Sequence, residues 1–208
     1  MIEGTPSNYD LMRDAMELEF LKYDQQQMID KFGLDHDAQY LYIRFVGEDH
    51  RIGRSTGMVE AYCEKTDSYS HADYNVSMTI FDVLCYSKPH CCLSGEYASI
   101  NNLKSLVQIA GSGGNMFARE TQFLAGKCDR LRAACETLGG SPQAVGDVAY
   151  VLPLFPFLPV VLQFWDADEE FDAVLKIMWD ENILDYMHYE STYFATAHLF
   201  ARLKALCS

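Results

Sequence analysis

One stretch constrains the fold of this chain more than any other: residues 153–180, PLFPFLPVVLQFWDADEEFDAVLKIMWD. Val160-Val161-Leu162-Gln163-Phe164-Trp165 and Val174-Leu175-Lys176-Ile177-Met178-Trp179 are β-branched and aromatic, the composition that fits a pleated strand. Both runs are apolar at nearly every position, which predicts a central part covered on two faces. Between them, residues 166–172 carry five carboxylates in seven positions. Like charges packed this closely stay in water unless a cation joins them, so the segment predicts a solvated hairpin tip. Upstream, Pro153, Pro156 and Pro159 each lack an N–H, which confines this part to an edge, a bulge or an extended wall.

The remaining 208-residue chain supplies helices and shorter strands in mixed order. Ser7 with Asp10 has capping-box spacing, and Leu11, Ala15, Leu18, Leu21, Met28, Ile29 and Phe32 follow at helical intervals. They predict one long amphipathic helix over about 8–32, stopped by Gly33. Residues 39–46 alternate with period two and predict a strand turned back at Gly47–His50; residues 58–63 fit a strand or a helical turn. Ser70 and Asp73 open a helix that Lys88-Pro89 ends. Residues 97–100 fit a short strand, residues 103–110 give no clear pattern, and a helix is predicted from about Met116 to Gly139-Gly140. A last helix spans roughly 191–206. Without regular strand–helix alternation, the expected fold is α+β: a mainly antiparallel sheet packed with about four helices in one domain.

Charge narrows the function. The formal net charge of −14 repels phosphate backbones and anionic lipid, so neither nucleic acid nor a membrane is an expected partner. The longest apolar run, 149–162, holds three prolines and is short of a membrane span; the start lacks the pattern of a signal peptide. Seven cysteines without paired spacing are expected to be reduced thiols in a cytoplasmic protein.

Several motifs carry chemistry, each beside a plainer explanation. Gly53-Arg54-Ser55-Thr56-Gly57 matches the G-x-S-x-G nucleophile elbow, with Ser55 as nucleophile and His188 or His198 downstream, though glycines flanking polar residues also make a surface turn. Cys85, His90 and Cys91, with Cys92 beside them, concentrate soft metal ligands but lack a second pair; buried thiols at a helix end explain them as well. Asp166, Asp168 and Glu170 have the opening spacing of a calcium loop. Phe171 stands where such a loop needs Gly, and Ile177 where it needs an acid, leaving at most weak divalent binding by the tip. Gly111–Asn115 opens a helix and offers amides to an anion, without the spacing of a P-loop. Cys128 and Cys135 lie on one helical stripe as core fillers. Aromatics crowd the hairpin, and Phe157, Phe164, Trp165 and Trp179 are expected either to line a ligand pocket or to form the main core.

The segments Pro156–Val160, Phe164–Phe171, Ile177–Asp180 and Tyr186-Met187, with Glu190, resemble the C-terminal half of a bacterial and archaeal family known only as a domain of unknown function, number 3786 in its series. Its pattern is a proline-led strand, an aromatic–acidic W-x-G-D-E-E-F turn, a strand ending in Asp and a closing helix. Ala167 stands where the pattern has Gly, and Met178-Trp179 where it has Leu-Phe. The resemblance implies an anaerobic setting and redox or corrinoid-related metabolism. Some members carry an N-terminal iron–sulfur domain, whose cysteine runs this chain lacks. It assigns no catalytic residue and no cofactor. The function expected from the sequence is therefore a non-catalytic binding or accessory protein with a small-molecule or tetrapyrrole ligand. The alternatives are a hydrolase using Ser55, and a module that offers the acidic tip to a protein partner.

Overall fold

The computed structural model describes residues 7–103 and 116–208. Two antiparallel sheets of five strands each organise the described residues, with seven α-helices around them. The first sheet is a meander in chain order, β1 (Asp35–His36), β2 (Tyr40–Phe45), β3 (Glu48–Gly53), β4 (Val59–Cys63) and β5 (Ser68–His71). The second is built from β6 (Tyr97–Ser99), β7 (Ser141–Pro142), β8 (Val148–Phe155), β9 (Leu158–Trp165) and β10 (Val174–Asp180), in the order β6-β10-β9-β8-β7. The α+β class and the antiparallel pairing agree with expectation. The strands divide between two sheets rather than one, and the helices are more numerous than the four anticipated.

The predicted hairpin is present, with Leu162 opposite Ile177 and Val160 opposite Trp179. The prolines do not keep β9 out of the sheet centre. Pro159 sits opposite Pro153 at the β8–β9 turn, where the register shifts between Pro153 and Phe155. Both missing N–H groups thus fall at a bulged end of the ladder, where little pairing is lost.

Two helices expected to be continuous are broken. Residues 8–32 form α1 (Asn8–Phe20) and α2 (Gln25–Phe32), because the Asp24 carboxylate caps the amides of Gln26 and Gln27 and starts a new helix. The long helix expected from Met116 divides into α4 (Ala118–Leu124) and α5 (Cys128–Thr137) around Gly126, whose φ of +71° is left-handed. Helix α3 (Tyr74–Phe81) is capped by Asp73 and runs into a π-turn over Asp82–Tyr86. The chain closes with α6 (Ile183–Tyr186) and α7 (Tyr189–Cys207). The unclear stretch 103–110, beyond Leu103, and the Gly111–Asn115 loop lie outside the described residues.

The two sheets meet at the β2–β3 turn. Val46 and Gly47 both have positive φ, as a type I′ hairpin turn requires, and the Val46 amide donates to Leu154 O of β8 at 2.7 Å. Beside that bond a column of rings crosses the core. His198 of α7 stacks on Phe45, Phe45 on Phe155, Phe155 on Phe157, and Phe157 on Phe32 of α2, at centroid distances from 4.4 to 5.4 Å. Offset ring pairs of this kind add about 1 kcal/mol each beyond area burial.

Candidate functional site

The column ends at a groove. Phe32 and Phe157, 4.4 Å apart and 25° from parallel, form one wall of a cavity of ≈ 440 Å³ completed by Asp35, Tyr42, Arg44, Asp49, His50 and Tyr69. The period of two in β2 explains the set: Leu41, Ile43 and Phe45 are buried, while Tyr40, Tyr42 and Arg44 take the other face. Strand pairing places Arg51 beside Tyr42 and Asp49 beside Arg44. The Arg51 guanidinium lies 4.1 Å from the Tyr40 ring centroid and 3.8 Å from that of Tyr69, and its Nε donates to Glu60 at 2.8 Å. Caught between two rings and a carboxylate, Arg51 holds the aromatic face rigid, and the Glu60 contact raises its pKa further.

Charge surrounds the groove in both signs. Arg44 Nη1 lies 3.6 Å from Asp49 Oδ1, and Nη2 donates to Gly47 O at 3.0 Å. Tyr42 donates to Asp37 Oδ2 at 2.7 Å; that bond lowers the Asp37 pKa and raises that of Tyr42. Behind the groove, His50 is 1% exposed, with Nδ1 at 3.1 Å from Glu48 O and Nε2 without a hydrogen-bond partner among the described residues. Burial, helped by the nearby His198, pulls its pKa down to about 4. His198 Nε2 lies 3.3 Å from Glu48 Oε2, near enough for an ion pair but not aligned as a hydrogen bond. Arg202 Nη1 reaches the other Glu48 oxygen at 2.8 Å. Burial alone would raise the Glu48 pKa; His198 and Arg202 outweigh it and lower it.

The four aromatics singled out from sequence do not line one pocket. Phe157 belongs to this groove, whereas Phe164 is fully buried in the core. Trp165 is half-buried beneath the Lys176 ammonium. Trp179 lines a separate, more apolar cavity of ≈ 250 Å³ with Phe117, Leu175, Ile177, Tyr193 and Thr196. Strand alternation separates these side chains, since Phe164 and Trp165 are adjacent and point to opposite faces.

Ser55 is exposed on the turn joining β3 to β4, so its surroundings are strand–turn–strand rather than the strand–turn–helix of an elbow. Cys85 is half-buried, and burial pushes its thiol up to about 12, away from the thiolate that a metal or an electrophile requires. His90 is exposed and Cys91 half-buried. At the acidic tip, Asp166 accepts from the amides of Gly126 and Ala167 and from Cys128 Sγ, and Asp168 accepts from the amides of Glu170 and Phe171. Among the described residues, neither Cys85–His90–Cys91 nor Asp166–Asp168–Glu170 gathers three ligand atoms at one point. Cys135 fills the core as expected, while Cys128 is only half-buried and bonds Asp166.

Sequence reasoning passed over Arg44, Tyr42 and Tyr69. The alternation Tyr40-x-Tyr42-x-Arg44 places three such residues on one face, and that signal was available. Phe32 was visible only as part of a core stripe.

Among the described residues, no helix is long and apolar enough to cross a membrane. No curated protein and no solved structure matches the chain. A family model does match, over residues 24–202, far beyond the C-terminal stretch that carries the visible motifs. The chain belongs to the family described as Domain of unknown function (DUF3786).

Proposed function

We propose that this chain is a cytoplasmic, non-catalytic binding protein that holds a small, flat ligand in the groove between Phe32–Phe157 and the open face of the first sheet. The observation that carries this reading is the stacked Phe32–Phe157 pair facing two tyrosines, with one arginine and two carboxylates at the same cavity. Small-molecule sites combine apolar walls with a few fixed polar groups in this way. A volume of ≈ 440 Å³ is near the lower end of the range for such sites, which suits a one- or two-ring molecule better than a whole tetrapyrrole. Binding in redox or corrinoid-related metabolism then means a fragment, precursor or partner cofactor rather than the macrocycle itself.

The test is a thermal-shift and ligand-observed NMR screen of nucleobases, flavin fragments and aromatic amino acids, with haem and a corrinoid as further arms. A hit whose affinity falls about tenfold or more in Phe157→Ala and Arg44→Ala supports the groove. Hits indifferent to both substitutions, or an empty screen, count against it.

A second reading has its own observation. Phe171 is 69% exposed amid the carboxylates of the β9–β10 tip, which gives the tip an apolar point as well as charge. This arrangement suits a basic protein partner with an apolar pocket. Pull-downs with the Glu169→Gln, Glu170→Gln, Phe171→Ser triple variant test it; partners retained unchanged by that variant would remove the reading.

A further inference from the structure

We propose that Asp14, Glu17 and His71 form a binding site for a divalent transition metal of the zinc type. One ligand atom from each of the three lies within 4.8 Å of the other two. Asp14 and Glu17 are three residues apart on one face of α1, and His71 is the last residue of β5, so the site joins a helix to the edge of the first sheet. The helix is held in place there. Gly57, at φ +76° in the β3–β4 turn, packs so closely on the Glu17 backbone that no Cβ would fit.

The donor set has spare capacity. His71 Nε2 lies 2.6 Å from Glu17 Oε1, and Arg13 contacts only Oδ1 of Asp14, at 3.0 and 3.2 Å. That leaves Oδ2 of Asp14 and Oε2 of Glu17 without a hydrogen bond among the described residues. Glu60, opposite His71 on β4, is occupied by Arg51 and does not compete for the histidine. Around this point Asp10, Asp14 and Glu17 face one guanidinium and one imidazole, while Glu17 is only 8% exposed. A buried carboxylate is costly unless a cation compensates it, and a dication would do so for Glu17 while also pairing with the exposed Asp14.

One imidazole nitrogen with two carboxylates is the borderline ligand set that zinc, cobalt and manganese accept, and three protein ligands leave coordination positions to water. Calcium and magnesium favour all-oxygen sites. On binding, His71 Nε2 and Glu17 Oε1 exchange their mutual contact for the metal: the imidazole binds through Nε2 with its ring hydrogen on Nδ1, and each atom donates a lone pair. Asp14 and Glu17 precede the family-matched residues 24–202, and none of the three ligands lines the groove proposed above.

The experiment uses the full chain, stripped with a chelator and titrated calorimetrically with Zn²⁺. Visible absorption of the Co²⁺ form supplies a second readout. The expected result is one equivalent bound, and Co²⁺ bands without thiolate charge transfer. In Asp14→Asn, whose side chain is exposed and whose fold circular dichroism checks, the affinity should fall about tenfold or more. Binding should be lost in His71→Ala and unchanged in a Cys85→Ser, Cys91→Ser double variant. Absence of saturable 1:1 binding overturns the proposal. So does binding unchanged in Asp14→Asn, or binding that disappears with the cysteines instead.

Discussion

The carboxylate of Asp82 grips His188 twice: Oδ2 accepts from the backbone amide and Oδ1 lies against imidazole Nδ1, each at 2.6 Å. The two residues are 106 positions apart, and the contact fastens the π-turn to the N-terminus of α7. Asp82 is buried, whereas the His188 side chain is 63% exposed and its ring meets Tyr86 edge-on. Asp82→Ala removes both acceptors and is expected to lower unfolding free energy by about 1–3 kcal/mol, measured by urea denaturation. His188→Ala should cost less, since the amide bond survives. The reverse order would show that the imidazole contact, not the amide, fixes the helix.

Asp180, fully buried at the end of β10, accepts from the amides of Ser94, Gly95 and Asn182 and from Ser94 Oγ. Asp180→Ala leaves these partly buried donors unpaired around the former carboxylate and is expected to destabilise the chain by about 3 kcal/mol or more. Ser94→Ala removes only the hydroxyl and should cost about 1 kcal/mol. Equal effects in chemical denaturation would contradict this network.

Gly57 and Gly95 provide a matched pair. Both have positive φ, +76° and +78°, but a Cβ at Gly57 would strike the Glu17 backbone, whereas one at Gly95 would meet nothing within 4 Å among the described residues. Gly95→Ala should therefore cost about 1 kcal/mol, the backbone penalty alone. Gly57→Ala adds displacement of α1 and should exceed about 3 kcal/mol. Similar melting temperatures for the two variants would mean that α1 shifts freely.

His50 makes stability depend on pH in a definite direction. Its folded pKa of about 4 lies below the ordinary histidine value, so between pH 6.5 and 4 the unfolded chain binds the proton first. The stabilisation is complete above pH 6.5 and is lost as pH falls toward 4, by about 3 kcal/mol in total. His198, Glu48, Asp49 and Arg202 share its surroundings. The measurement is therefore the difference between the wild-type chain and His50→Phe across that window. Parallel stability curves would exclude His50 as the source.

The strands were legible in the sequence because a half-buried strand writes its alternation directly, as residues 40–45 do, and a doubly covered one writes a solid apolar run, as residues 160–165 do. Helix faces were harder. The stripe Leu11, Ala15, Leu18 predicts the buried side of α1, yet these residues are exposed, and Met16, Glu17 and Phe20 face inward. A buried Glu looks solvated until its partner His71 is brought near by the meander. The break at Gly126 was hidden for a similar reason, since its amide bonds the carboxylate of Asp166, forty positions away. Of the groove, Phe157 was foreseen. Its partners come from α2, β1, β2, β3 and β5, elements that only the tertiary fold brings together.

Among the described residues, the outermost strands of both sheets are very short: Asp35–His36 and Ser68–His71 in the first, Tyr97–Ser99 and Ser141–Pro142 in the second. A neighbouring molecule seeking to extend either sheet finds only two to four residues of open ladder, and at one margin a proline that cannot donate. The greasy segment around Val160–Phe164, hazardous as a template for fibrils, is flanked by β8 and β10 and never presents a free margin. Resistance to cross-chain polymerisation is thus written into the trimming of the borders.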